Sequence, residues 1–127
     1  ITKTGYYSFI LISNANRIAG INNFYRNVKL DDDQFEVLLC NFNRRIDIIK
    51  TFSLLMTMDA SKVSGVEFYK TNHLELEFDD YPKHGWCIDG EKLKYSTLKY
   101  DIKNVNHIKI MLPTKNIDKI FVNKKID

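Results

Sequence analysis

The chain has 127 residues, of which 44% are hydrophobic, 28% charged and 13% aromatic. This composition supports one domain with a hydrophobic core, and it excludes a disordered tail, a collagen-like repeat and a coiled coil. The net charge of +3 comes from basic residues scattered along the chain, so we expect no nucleic-acid partner. No apolar stretch reaches the roughly 20 residues that span a bilayer.

The two cysteines, Cys40 and Cys87, both lie in apolar, strand-like runs. We expect buried free thiols rather than a disulfide, and therefore a cytoplasmic protein. The chain begins with Ile1 rather than methionine. This start indicates a piece of a longer polypeptide.

The first half of the chain predicts two strands and one helix. Residues 6–13 (YYSFILIS) form an apolar run typical of a buried strand, and a polar, asparagine-rich stretch follows over 14–27. Residues 35–42 predict a second strand, entered from a loop. Residues 45–58 carry apolar side chains at helical spacing and predict a helix.

From Gly65 onward the apolar pattern has a period of two. It predicts short strands around Val66 and Phe68, over 74–78, over 86–88, at 100–102 and over 108–112, with a loop over 79–85. About seven short strands and one helix predict a mainly β fold, a β-sandwich or barrel with one helical insertion. We expect a single domain over residues 1–127.

Two acidic elements could carry chemistry. Asp31, Asp32 and Asp33 crowd three like charges into a turn, which a bound cation would relieve, although a solvated turn with an Asx-type hydrogen bond explains the same pattern. Asp89 and Glu91 flank a glycine directly after an apolar strand. One carboxylate there could accept a proton from a substrate hydroxyl, and an ordinary Asp-Gly hairpin turn is the other interpretation.

Five motifs, in order, resemble one known family. The Ser13-Asn14 and Ala19-Gly20 pairs resemble its "N…GG" loop, with Ile21 in place of the second glycine. The remaining motifs are residues 29–35 (KLDDDQF), similar to "L-D-D-G-x-F/L"; the helix 45–58; residues 86–91 (WCIDGE), similar to "x-x-D-G-E"; and the closing strand 108–113. Together they resemble the C-terminal domain of the bacterial diacylglycerol kinase and related lipid kinase family, which includes the sphingosine kinases, over most of the chain.

The resemblance implies an ATP-dependent lipid kinase with two domains and an active site between them. This chain would be the lipid-side β-sandwich, inactive alone, and a missing N-terminal domain would bind most of the ATP, since the family's Gly-Gly-Asp-Gly-Thr loop is absent here. The implied substrate is diacylglycerol or a similar lipid at a membrane surface. The implied location is therefore cytoplasmic and peripheral to the membrane, with self-association of the isolated domain as a further expectation.

The resemblance also implies roles for five residues. Glu91 would be the proton acceptor for the lipid hydroxyl, with Asp89 beside it as a metal- or substrate-orienting partner. Asp32 would give a carboxylate to a structural Mg²⁺, together with the backbone carbonyls of Lys29 and Gln34. The family has glycine where this sequence has Asp33.

Two other functions remain open at this stage. A non-catalytic β-sandwich module that binds carbohydrate or a protein partner would show Trp86, Tyr81 and Tyr95 along one exposed face. A kinase related to the NAD kinases would keep the fold but use another substrate. The Asp-Gly-Glu motif favours the lipid kinases over this third interpretation.

Overall fold

The computed structural model describes residues 1–15, 18, 29–42, 49, 63–94 and 97–105. Contacts divide the chain into two compact units, Ile1–Thr71 with Val105–Asp127 and Asn72–Asn104. The described residues form seven strands: β1 (Phe9–Ser13), β2 (Phe35–Cys40), β3 (Val66–Thr71), β4 (His73–Glu77), β5 (Cys87–Ile88), β6 (Glu91–Lys92) and β7 (Lys99–Lys103). The prediction of a mainly β fold is therefore confirmed.

The first unit contains an antiparallel three-stranded sheet in the order β1-β2-β3. β2 is the central strand, and all six of its residues are buried. Leu38 and Cys40 form the core on one face, where Leu11 and Phe68 pack against them. Burial on both faces explains why β2 is so rich in apolar residues.

The second unit contains two two-stranded antiparallel sheets. In the β4–β7 sheet, residues alternate between exposed and half-buried along both strands, as expected for a sheet with one solvated face. The half-buried positions are Leu74 and Leu76 on β4, opposite Ile102 and Tyr100 on β7. The shorter sheet, β5–β6, is a hairpin.

Several sequence predictions fall on residues that are not described. The helix over 45–58, apart from Ile49, and the strand over 108–112 lie outside the described residues. The sandwich arrangement and the single domain stay predictions. In the part of the chain that the structure describes, no helix is long and apolar enough to cross a membrane.

The prediction that both cysteines are buried is confirmed for one of them only. Cys40 is buried on the central strand as expected, but Cys87 is exposed. The prediction for Cys87 was wrong because β5 is only two residues long and both of them are exposed. Both thiols are free.

Candidate functional site

The Asp89-Gly90 pair forms a two-residue turn between β5 and β6. Ile88 and Glu91 face each other across it, and both turn residues have positive φ, 50° for Asp89 and 88° for Gly90. Type I′ hairpin turns require this combination, and aspartate followed by glycine is a favoured sequence for them. The hairpin interpretation of this motif is therefore correct for the backbone, and it places both predicted carboxylates on one short hairpin.

Glu91 lies at the end of an apolar face of this hairpin. The Leu93 amide donates to the Trp86 carbonyl at 2.9 Å, which extends the pairing beyond β5 and β6. Because side chains alternate along strands, Trp86 and Leu93 lie on the same face as Ile88 and Glu91. Ile88 is 57% exposed, and Glu91 is exposed, with no hydrogen bond or ion pair from its carboxylate to the described residues.

An aromatic cluster holds the base of this hairpin. The half-buried Trp86 ring lies 5.9 Å from the Phe78 ring and 5.1 Å from the Tyr100 ring, measured between centroids. Phe78 and Tyr100 also meet edge to face at 6.0 Å. Such tilted and edge-to-face pairs are favourable for aromatic quadrupoles. Trp86 therefore anchors the hairpin to the β4–β7 sheet within the second unit.

The acidic turn, residues 29–34, contains the three residues predicted to bind Mg²⁺. The backbone N–H of Gln34 donates a hydrogen bond to Asp32 Oδ1 at 3.3 Å. This is an Asx-type contact between residues two positions apart. Asp33 has φ 58°, the left-handed conformation that glycine adopts most easily. Lys70 on β3 reaches the other oxygen, with its Nζ 3.2 Å from Asp32 Oδ2. The roles of the Lys29 and Gln34 carbonyls stay predictions.

Sequence reasoning missed Glu36. Its side chain is 0% exposed, and Lys70 Nζ lies 3.3 Å from its Oε1. Burial raises the pKa of the Glu36 carboxyl, and the neighbouring Lys70 ammonium opposes that rise. On β2, Glu36 lies between Ser13 of β1 and Lys70 of β3. The sequence feature that could have identified it is a lone glutamate inside a strongly apolar strand.

The histidine on β4 belongs to a surface charge network. His73 Nε2 lies 2.7 Å from Asp101 Oδ1, and Lys103 Nζ lies 2.7 Å from Asp101 Oδ2. Hydrogen bonds to Lys103, which has the larger effect, and to His73 hold the pKa of the Asp101 carboxyl below its ordinary value. These residues are all exposed. The described ranges contain no group of three or more His, Cys, Asp or Glu side chains that could hold a metal ion.

The predicted site residues therefore fall into two groups. Asp89 and Glu91 share the hairpin of the second unit, and Lys29, Asp32 and Gln34 share the acidic turn of the first. No protein-family model, no curated protein and no solved structure matches this chain.

Proposed function

We propose that this chain is the lipid-side domain of an ATP-dependent kinase that phosphorylates the hydroxyl of diacylglycerol or a similar lipid. One observation carries the proposal. Glu91 presents an exposed carboxylate, without a partner among the described residues, at the end of the apolar hairpin face that includes Ile88. A base for an amphiphilic alcohol needs this combination of an available carboxylate and adjoining apolar surface.

The proposed reaction transfers the γ-phosphoryl group of ATP to the lipid. Glu91 accepts the proton of the lipid hydroxyl as its oxygen attacks the γ-phosphorus. The new bond joins that oxygen to phosphorus, the bond from phosphorus to the bridging oxygen breaks, and ADP leaves. Because such transfers depend mainly on positioning and electrostatics, the rigid turn at Asp89 and Gly90 contributes by fixing the position of the base.

The hairpin face supports a lipid rather than a small polar alcohol. Ile88 and Leu93 offer apolar area beside the carboxylate, and burial of apolar area against acyl chains is favourable by about 25 cal/mol per Å². The scattered lysines of a chain with net charge +3 would help it approach an anionic membrane. In this proposal Asp89, beside the base, orients the substrate.

We propose that the acidic turn binds Mg²⁺. The ion would be held by the Asp32 carboxylate and the carbonyls of Lys29 and Gln34, which are hard ligands of the kind that it prefers. The left-handed φ of Asp33 supports this assignment, because the aspartate adopts the conformation that the family's glycine would favour. There the ion would stabilise the turn.

The rest of the resemblance extends the proposal to the whole polypeptide. The proposed fold is the predicted β-sandwich with a helical insertion over 45–58. An N-terminal domain of the same polypeptide would bind most of the ATP, with the reaction in the cleft between the two domains. The complete enzyme would be cytoplasmic and would visit the membrane surface for its substrate.

A binding module for carbohydrate or a protein partner is the second candidate. It would use exposed aromatic rings as a platform for stacking. Tyr81 is 58% exposed, but Trp86 is half-buried and packs against Phe78 and Tyr100, while Tyr95 lies outside the described residues. The packing of Trp86 therefore weakens the case for an exposed aromatic platform.

Replacement of the base tests the proposal. In the full-length enzyme, Glu91→Gln should lower turnover on diacylglycerol by at least about 100-fold, because the amide cannot accept the proton. Glu77→Gln is the matched control, since Glu77 is an exposed glutamate of the same unit, and it should keep wild-type turnover. Near-normal turnover by Glu91→Gln would contradict the assignment.

A further inference from the structure

A polar row, formed by Ser13, Glu36 and Lys70, crosses the three-stranded sheet of the first unit. Ser13 on β1 is the register partner of Glu36 on β2, and Glu36 is the register partner of Lys70 on β3. Paired residues of antiparallel strands extend their side chains to the same face, with Cβ atoms about 5 Å apart. A hydroxyl, a carboxylate and an ammonium group therefore lie side by side, on the face that Leu38 and Cys40 occupy further along β2.

Two oxygen atoms of the polar row are buried without a hydrogen bond. The Glu36 side chain is 0% exposed, and neither its Oε2 nor Ser13 Oγ has a hydrogen-bond partner among the described residues. The ion pair of Glu36 is made by its other oxygen, Oε1, which lies 3.3 Å from Lys70 Nζ. Because buried oxygens without a partner are unfavourable, a group that donates hydrogen bonds to both of them would be bound favourably.

The charges around the polar row favour a cationic donor. Among the described residues, the carboxylates of Glu36 and Asp32 share the Lys70 ammonium, which lies 3.2 Å from Asp32 Oδ2. When all three groups are ionised, one negative charge of this cluster is not balanced within it. An anion would be repelled, whereas a primary ammonium group supplies both N–H donors and the opposite charge.

The polar row reaches solvent at both ends. Ser13 is half-buried and the next residue, Asn14, is exposed, while the side chains of Asp32 and Lys70 are 19% and 28% exposed. β1 and β3 are also the outer strands of this sheet. A compound can therefore approach from either end, and the complete burial of Glu36 between them selects for a small one.

We propose that Ser13 and Glu36 form a binding site for the ammonium group of a small primary amine. The N–H groups of the ligand donate to Glu36 Oε2 and Ser13 Oγ, and Lys70 stays on Glu36 Oε1. The site is one of binding, in which no covalent bond forms or breaks. It shares no residue with the proposed base or with the predicted Mg²⁺ ligands, so it does not depend on the proposed kinase activity.

The test uses methylammonium chloride as the probe, in a ¹H–¹⁵N NMR titration of this chain. We expect saturable shifts of the Ser13 and Glu36 amide signals. Tetramethylammonium has the same charge but no N–H donor, and it should produce no saturable shift at these positions.

Three variants measure the contribution of each oxygen. Glu36→Gln should weaken methylammonium binding at least about tenfold, and Ser13→Ala roughly two- to tenfold, because a charged acceptor contributes more than a hydroxyl. Glu77→Gln, at an exposed glutamate of the second unit, is the matched control and should leave the affinity unchanged.

The proposal would be overturned by the absence of saturable shifts in the wild type or by an equal response to tetramethylammonium. Unchanged affinity in Ser13→Ala would also overturn it. If Glu36→Gln does not fold, the wild-type titration and Ser13→Ala decide the result. None of these measurements follows turnover, so they are separate from the test of the kinase.

Discussion

Each unit contains a lysine–glutamate ion pair, and the two pairs differ in burial. In the first unit, Lys70 pairs with a glutamate that is completely buried. In the second, Lys99 Nζ lies 2.9 Å from Glu77 Oε1, with side chains 74% and 69% exposed. A buried pair constrains the structure strongly, because loss of one partner leaves an uncompensated charge, whereas an exposed pair contributes little. The first unit therefore has a polar centre, formed by Glu36 and Lys70, that constrains its structure, whereas the charged side chains of the Lys99–Glu77 pair are open to solvent.

The largest expected difference concerns the two lysines. Lys70→Met should destabilise the chain by about 3 to 5 kcal/mol, because it leaves the Glu36 carboxylate buried without its cation. Lys99→Met should cost less than about 1 kcal/mol. Denaturant unfolding at neutral pH measures both. Equal losses of unfolding free energy in the two variants would contradict the proposed difference between the buried and the exposed ion pair.

The two cysteines extend the comparison to reactivity. Burial raises the pKa of the Cys40 thiol from 9.0 to about 11, which lowers its thiolate fraction about 100-fold near neutral pH. Cys87 is exposed on the hairpin. Iodoacetamide should therefore label Cys87 in the native protein and Cys40 only after denaturation, as read by peptide mass spectrometry. Rapid native labelling of Cys40 would contradict the burial of β2.

The smallest expected effect is a pH dependence in the second unit. The folded-state pKa of Asp101 is lowered by Lys103 and His73, so its ionised form contributes stability at neutral pH that is lost as the pH falls through that pKa. Asp101→Asn should therefore lower the melting temperature slightly at neutral pH. The difference from the wild type should begin to shrink near pH 4 and should vanish once the pH is below the lowered folded-state pKa of Asp101. Glu77→Gln, an exposed carboxylate of the same sheet that pairs with Lys99, is the control. A difference that grows in acid would contradict the assignment.

Local patterns predicted much of the described fold. Alternation identified β4 and β7, and the Asp-Gly pair identified the turn of the hairpin. The predicted bounds of the strands were less accurate. The first strand was predicted to begin at Tyr6, but Tyr6 is exposed. β1 begins at Phe9, where pairing with Cys40 of β2 begins. Where pairing ends depends on the partner strand, and the local sequence does not contain that information.

The polar centre of the first unit could not be predicted in the same way. The alternating pattern of residues 35–39 suggests an outward Glu36, but both faces of β2 are buried. The contact from Lys70 to Asp32 joins residues 38 positions apart and depends on the register between β2 and β3. Long-range register of this kind arises from packing, so a single sequence shows the charges without showing which of them meet.

The most direct test of the central claim is the reaction itself. The full-length wild-type protein is incubated with radiolabelled ATP, Mg²⁺ and diacylglycerol in mixed micelles, with free glycerol as the polar alternative. We predict labelled lipid phosphate, little labelled glycerol phosphate, and loss of the lipid product in Glu91→Gln. Lipid phosphate at no more than the level of the Glu91→Gln variant would contradict it.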